Sequence, residues 1–295
     1  METGDFFQPL LLTLLKYGLL FLVTYALTWL TMPYLRDLII NTGFMKPNYR
    51  EEKIPACAGL IFVALLPLIT GISLLLGINS AYDSFLFLFI ILGAGFMGLV
   101  DDKMGNHNTK GFKGHFLALI KNKKLTSGGF KALFGATIAL VFSIGAAIPG
   151  GRSFWTPWTI FINFLLVCLA MNMINLFDLR PGRAGKIYLL AFLIVIAFSK
   201  SMEHYLGLYL PIVAILLYYL PFDLRAEMMM GDTGSNLLGA SLGGMMAWML
   251  SDFSKIVALG IMIALQLSAE KVSFTKIIER YSFLRYIDNI GRRKG

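Results

Sequence analysis

The chain has 295 residues, of which 57% are hydrophobic and 15% charged, with a formal net charge of +9 and a mean hydropathy of +0.71. A soluble domain carries about a quarter charged residues, so this composition excludes an ordinary soluble protein and predicts one membrane-embedded domain over 1–295. The positive balance then reads as the lysine and arginine bias of membrane loops, and no nucleic-acid partner is implied.

Apolar runs long enough to span, or nearly so, occur at 10–32, 54–78, 84–100, 132–149, 157–176, 187–199, 206–221, 236–250 and 256–267. The expectation is therefore an all-α, multi-pass protein with about nine transmembrane helices. The sixth and ninth runs are short and must extend into their flanks or tilt. The first is too long for a signal-peptide core and follows acidic residues, so no cleavable leader is predicted. Lysines and arginines crowd the loops 33–53, 101–131, 178–186 and 222–235 and the tail 268–295, whereas the opposite loops hold little beyond Arg152, Lys200 and Lys255. This asymmetry puts the N-terminus outside, the C-terminal tail in the cytoplasm, and the protein in the cell membrane. Cys57 and Cys168 lie far apart in apolar stretches, and His107, His115 and His204 do not cluster, so neither set has metal-ligand spacing.

Three polar constellations fall at span ends on the predicted cytoplasmic side. In MGLVDDKMGN, residues 97–106, Asp101 and Asp102 end the third span. Paired hard-oxygen ligands suit magnesium shared with substrate phosphates, or a proton taken from a phosphate; the alternative is a solvated helix end. In NMINLFDLRPGRAG, residues 172–185, Asn172 and Asn175 are three apart and so share a helix face that Asp178 continues. Amides and a carboxylate there can read a nucleotide or sugar, or can join helices together. In EMMMGDTGSNLLGA, residues 227–240, small residues and Asp232 open the eighth span. They offer close backbone approach and free N–H groups to an anion, or simply a helix cap. Loop 103–131, with its GFKGHFLALIKNKKL, interleaves lysines with apolar residues and can lie on a membrane surface.

Together these segments resemble the polyprenyl-phosphate N-acetylhexosamine-1-phosphate transferases, the glycosyl transferase family 4 enzymes of cell-envelope synthesis. TGFMKPNYREEKIPACAGL, residues 42–60, is similar to the family's first cytoplasmic loop, GLVDDK to its aspartate pair, NMINLFD to its Asn-x-x-Asn-Leu-x-Asp motif, and MMMGDTGSNLLG to its Met-Gly-Asp-x-Gly-Ser motif. The resemblance implies transfer of a sugar-1-phosphate from a UDP-sugar to undecaprenyl or another polyprenyl phosphate, with magnesium (or manganese), releasing UMP. It implies Asp232 as metal ligand with help from Asp101, and Asp101, Asp102 and Asp178 as catalytic carboxylates. Lys53, Asn172 and Asn175 are implied as substrate contacts, and a homodimer as an available assembly; Arg180 and Arg183 join the expected substrate contacts on the residues of this chain alone.

The chain departs from the family pattern in three places. Pro181 stands where the asparagine motif usually brings a second aspartate. The His-rich motif before the last span is absent, and the tail EKVSFTKIIERYSFLRYID is not apolar enough to span. Met229 takes the place of an aromatic that can stack on uracil. Arg180, Arg183 and Arg280 are the cations available in place of the histidines. Two alternatives follow: a paralogue that binds lipid-linked precursor or a partner without turnover, and a CDP-alcohol phosphatidyltransferase-like enzyme, to whose signature DLRPGRA is superficially similar. The second lacks the paired Asp-x-x-x-Asp of that family. A transporter would carry its ionisable groups near the midplane.

Overall fold

The computed structural model describes residues 4–104, 127–149, 153 and 156–292. The lysine-rich stretch between the third and fourth spans lies outside the described residues. Among those described, nine helices of 15 to 38 residues run through the chain: α1 Gly4–Asn41, α2 Leu60–Leu75, α3 Ala81–Met104, α4 Ser127–Ala147, α5 Thr156–Phe177, α6 Arg183–Ala197, α7 Met202–Leu224, α8 Gly231–Met249 and α9 Asp252–Lys271. Two short helices follow, α10 Phe274–Arg280 and α11 Ser282–Asn289. Every apolar run of the sequence thus coincides for most of its length with one of these helices.

The count of spans needs correction. Six of these helices are long and apolar enough to cross a membrane, namely α1, α3, α4, α5, α7 and α9. The other three fall short for separate reasons. α2 and α6 have 16 and 15 residues, below the ~20 needed for a straight crossing. α8 has 19 residues, but GDTGSNLLGASLGGMMAWM is rich in glycine and polar side chains. It needs no apolar exterior because it meets protein on all sides: nearly every residue from Thr233 to Met249 is buried.

This central helix organises the bundle. α3 and α5 pack along it most extensively, and α6 and α7 close other sides. A Cβ on Gly239 or Gly243 would collide with the backbone of Met171 or Val167 on α5. The pair, four residues apart, is what lets the two helices meet backbone to backbone. α4 fills the angle between α3 and α5, α1 packs on α7 and α2, and α9 lies on α5. The outward faces of α1 and α9 are apolar and exposed, as at Leu19, Leu22, Trp29, Ile256 and Ile261.

One local element is not helical. β1 Met45–Pro47 and β2 Lys53–Pro55 form an antiparallel pair in which Lys46 faces Ile54 and Pro47 faces Lys53. Asn48 sets the turn: its Oδ1 accepts from Arg50 N at 2.8 Å and Glu52 N at 3.1 Å. The chain leaving β2 is stitched to the segment before α8. Met229 N donates to Pro55 O at 2.8 Å, Ala58 N to Met229 O at 2.9 Å and Gly59 N to Met230 O at 3.0 Å. The hairpin is thereby fixed over the end of the bundle where α3, α5 and α7 finish and α8 begins.

Candidate active site

At that end the chain assembles a cavity of about 200 Å³ whose walls include Lys46, Asp102, Asp178, Arg180, Asp223 and Asp232. The sequence separates these residues by up to 186 positions. The fold brings them together because α3 and α5 run alongside α8 and end near its start.

Asp101 and Asp102 are neighbours in α3, so their side chains point about 100° apart and do different work. Asp102 is 3% exposed. Its Oδ1 accepts from Lys46 Nζ at 2.8 Å, and its Oδ2 from Thr233 N and Thr233 Oγ1, both at 2.9 Å. It therefore caps the first turn of α8, where a carboxylate is favoured by the unpaired N–H groups and the helix dipole. Gly231 makes room for it: its φ is +72°, and a Cβ there would strike the Asp102 carboxylate. Burial disfavours the charged form of Lys46, but the hydrogen bond and charge of Asp102 outweigh it and hold its ammonium above the usual lysine value. Cys57 sits behind the same carboxylate in a left-handed backbone conformation. Burial, then the Asp102 charge, pushes its thiol up to about 12, which makes it inert.

Asp101 and Asp232 converge on one ammonium. Lys131, from the first turns of α4, donates to Asp101 Oδ2 at 3.2 Å and bridges to Asp232 Oδ2. Asn175 completes the group. In the amide orientation that satisfies both ends, its oxygen accepts from Lys131 Nζ at 2.8 Å while its nitrogen donates to Asp232 Oδ1 at 3.1 Å and Ser235 Oγ at 3.2 Å. Asp178 lies just past the end of α5. Burial, then the carboxylates of Asp223, Asp232 and Asp102, pushes it well above the usual carboxylate range. Asp223 in turn accepts from Gly182 N at 2.9 Å and so ties the 178–182 loop to α7.

The sequence-predicted residues thus divide. Asp101, Asp102, Asn175, Asp178 and Asp232 come together, and Arg180 lines the same cavity. Asn172 does not join them: it is exposed and donates to Gln266 of α9 at 2.7 Å. Residues three apart are still about 60° apart around a helix, enough here to face α9 with one and α8 with the other. Lys53 stays on the outer face of the hairpin. Lys46 and Ile54 are cross-strand partners on the cavity side, so alternation turns Lys53 away. Arg183 is 4% exposed and lies against the tail: Nε and Nη2 grip the two oxygens of Asp288 at 2.9 and 2.8 Å. Arg280 is exposed on α10. Sequence reasoning overlooked Lys46 and Lys131 because both sit in basic loops among many similar lysines; no local pattern distinguishes them.

Among the described residues no three carboxylates, imidazoles or thiolates lie close enough to enclose a metal. The donor set nevertheless fits magnesium, which is commonly bound by one or two carboxylates plus substrate phosphates and water. Asp101 and Asp232 already share a cation in the form of the Lys131 ammonium.

A helical bundle with hard-oxygen ligands gathered at one end of its central helix is a form suited to chemistry on phosphates. The model of glycosyl transferase family 4 matches residues 84–250, and the chain belongs to that family. It is similar to phospho-N-acetylmuramoyl-pentapeptide-transferases from several bacteria. The Fervidobacterium nodosum enzyme is 28% identical over 65% of this chain and 58% of its own length. The Bacillus mycoides enzyme is 24% identical over 86% and 81%, and the Staphylococcus aureus enzyme 27% identical over 93% and 90%.

Proposed function

We propose that the chain transfers a sugar-1-phosphate from a UDP-sugar of the N-acetylhexosamine type to polyprenyl phosphate at the cytoplasmic membrane face, releasing UMP, in the synthesis of a cell-envelope glycopolymer or peptidoglycan precursor. One observation carries this reading beyond family membership. Among the described residues, five carboxyl groups from α3, the loop after α5, α7 and α8 surround or adjoin one cavity, which Lys46, Lys131 and Arg180 share. Carboxyl groups gathered in a buried site are costly to ionise unless a cation is part of the working site.

In the reaction, an oxygen of the lipid phosphate forms a bond to the sugar-bearing phosphorus of the donor. The bond from that phosphorus to the UMP oxygen breaks, and UMP leaves with the electron pair. Asp232 and Asp101 would hold magnesium, whose charge, when bound, neutralises the phosphate oxygens. Lys131, displaced from between them, remains beside the donor phosphates. Asp178 lines the cavity and accepts a proton from the lipid phosphate. Asp102 fixes Lys46 and the first turn of α8, so that Lys46 presents its ammonium to an anion. Arg180 contacts the diphosphate or sugar from the loop side.

A second reading keeps the binding and drops the turnover. It is favoured by Lys131, which already satisfies Asp101 and Asp232, and by Pro181 in place of a carboxylate. The two are separated by assaying UMP release from purified protein, undecaprenyl phosphate, magnesium and a panel of nucleotide sugars. The transferase reading expects turnover that chelation abolishes and that Asp232→Asn and Asp101→Asn each lower by at least about a hundredfold. Donor binding without release of UMP from any donor would leave the second reading.

A further inference from the structure

A second cavity, of about 580 Å³, opens between the 178–182 loop and the C-terminal helices α10 and α11. Tyr49, Arg180 and Pro181 wall it on one side and wall the carboxylate cavity on the other, so the two adjoin across a single loop. Its charge is the reverse of its neighbour's. Four guanidinium groups, of Arg180, Arg183, Arg285 and Arg292, line it against the two carboxylates of Glu279 and Asp288.

Those carboxylates do not neutralise it. Asp288 is fully committed: Arg183 grips both its oxygens, and Arg292 does the same from the other side at 2.9 and 2.8 Å. Glu279 reaches Arg180 only at 3.8 Å and is 60% exposed. Arg285 has no ion pair among the described residues, although it borders the cavity. Arg180 is steadied over the Tyr49 ring, 5.7 Å from its centre. Planar guanidinium forks, held by packing and by a common carboxylate, are suited to carboxylate or phosphate oxygens.

We propose that this cavity is an anion subsite that selects nucleotide-sugar donors carrying a carboxylate on the sugar. The inference rests on the transferase reading and deepens it by naming the donor class. A donor whose diphosphate sits among Lys46, Lys131 and Arg180 has its sugar directed past Pro181. An acidic substituent there is received by Arg285 and Arg180. The tail, which carries Arg285 and the Arg292–Asp288 clamp, is thereby a specificity element of the site.

The test compares three donors that differ only in acidic substituents: UDP-N-acetylglucosamine, its C6 uronic acid, and UDP-N-acetylmuramate with its lactyl carboxylate at O3. Each is titrated by calorimetry onto the full chain in nanodiscs of neutral lipid with magnesium. At least one acidic donor is expected to bind about tenfold tighter than the neutral one at low salt. Arg285→Gln should bring that ratio close to one. Glu279→Gln, which releases Arg180, should raise it, a gain that misfolding cannot produce. Equal affinity for all three donors, or a ratio that neither substitution moves, overturns the subsite and leaves the transferase reading intact. Failure to bind any of the three overturns both.

Discussion

The two polar clusters at the loop end of this bundle are built on opposite charge balances. Around the first cavity, Asp101, Asp102, Asp178, Asp223 and Asp232 gather five carboxyl groups, and one ammonium is shared between two of them. At the tail, a single carboxylate, Asp288, is held by two arginines with paired contacts, Arg183 donates a further bond to Thr275 Oγ1 at 3.0 Å, and Lys186 Nζ bonds Ile287 O and Asp288 O at 3.1 and 2.7 Å. The first cluster concentrates carboxyl groups around a shared ammonium and so is open to a further cation. In the second, the Asp288 pairs are saturated and act as a fastener, which leaves Arg180 and Arg285 beside them for an anion. The same residue types, carboxylates and basic groups, serve chemistry in one place and assembly in the other, and the count of partners distinguishes them.

The largest effect is expected from removing the shared ammonium. Lys131→Gln leaves Asp101 and Asp232 with their repulsion unscreened. UMP release should fall by at least about a hundredfold, and the thermal midpoint should drop without magnesium and recover when millimolar magnesium is added. A variant whose midpoint is indifferent to magnesium would show that the two carboxylates are not a cation site.

The fastener is tested by Asp288→Asn. Removing one member of a buried ion pair costs about 3–5 kcal/mol, because the partner is left charged and unpaired, and Arg183 is 4% exposed. Hydrogen exchange across 274–292 should rise sharply while α3 and α8 stay protected. The pH dependence has a definite sign. Burial opposes ionisation of Asp288, but Arg183 and then Arg292 outweigh it and hold its carboxyl below the ordinary value of 3.8. A depressed folded value means that the stabilisation is complete above the unfolded value and is lost as the pH falls through the folded one. The tail should therefore stay docked at neutral pH and detach only below about pH 4. Detachment between pH 5 and 7 would point to another group.

Gly243→Ala probes the frame beneath both clusters. The added Cβ meets the Val167 backbone, so α5 and α8 must part, at a cost of about 1–3 kcal/mol. Because Asn175 and Asp232 approach each other across that same helix pair, turnover should fall together with stability. Stability loss at unchanged turnover would mean that the site is set by α3 and the hairpin instead.

These contrasts also explain what was legible in the sequence. Hydrophobic runs located all nine long helices, since apolar length is a local signal. They overcounted spans at α8, because a helix buried on all sides and one facing lipid are both depleted in charge, and only packing tells them apart. Asp101, Asp102, Asp178 and Asp232 were legible as carboxylates placed where helices meet water. The pairing of Arg183 with Asp288 was not, since it joins positions 105 residues apart through helices too short to announce themselves by periodicity. The hairpin was hidden for the same reason: three-residue strands carry almost no alternation.

That hairpin supplies the smallest predicted effect and a discriminating one. Lys46 and Lys53 are both lysines of one basic loop, and family resemblance favours Lys53 as the phosphate contact. The strand register turns Lys46 toward Asp102 and Lys53 toward solvent. Lys46→Gln should raise the KM for the donor about tenfold, the scale of one charge-assisted contact, and should loosen Asp102 as well. Lys53→Gln should change KM by less than about twofold, as expected of an exposed charge. If the larger effect falls on Lys53, the hairpin must turn over when substrate binds, and the two lysines exchange places during the catalytic cycle.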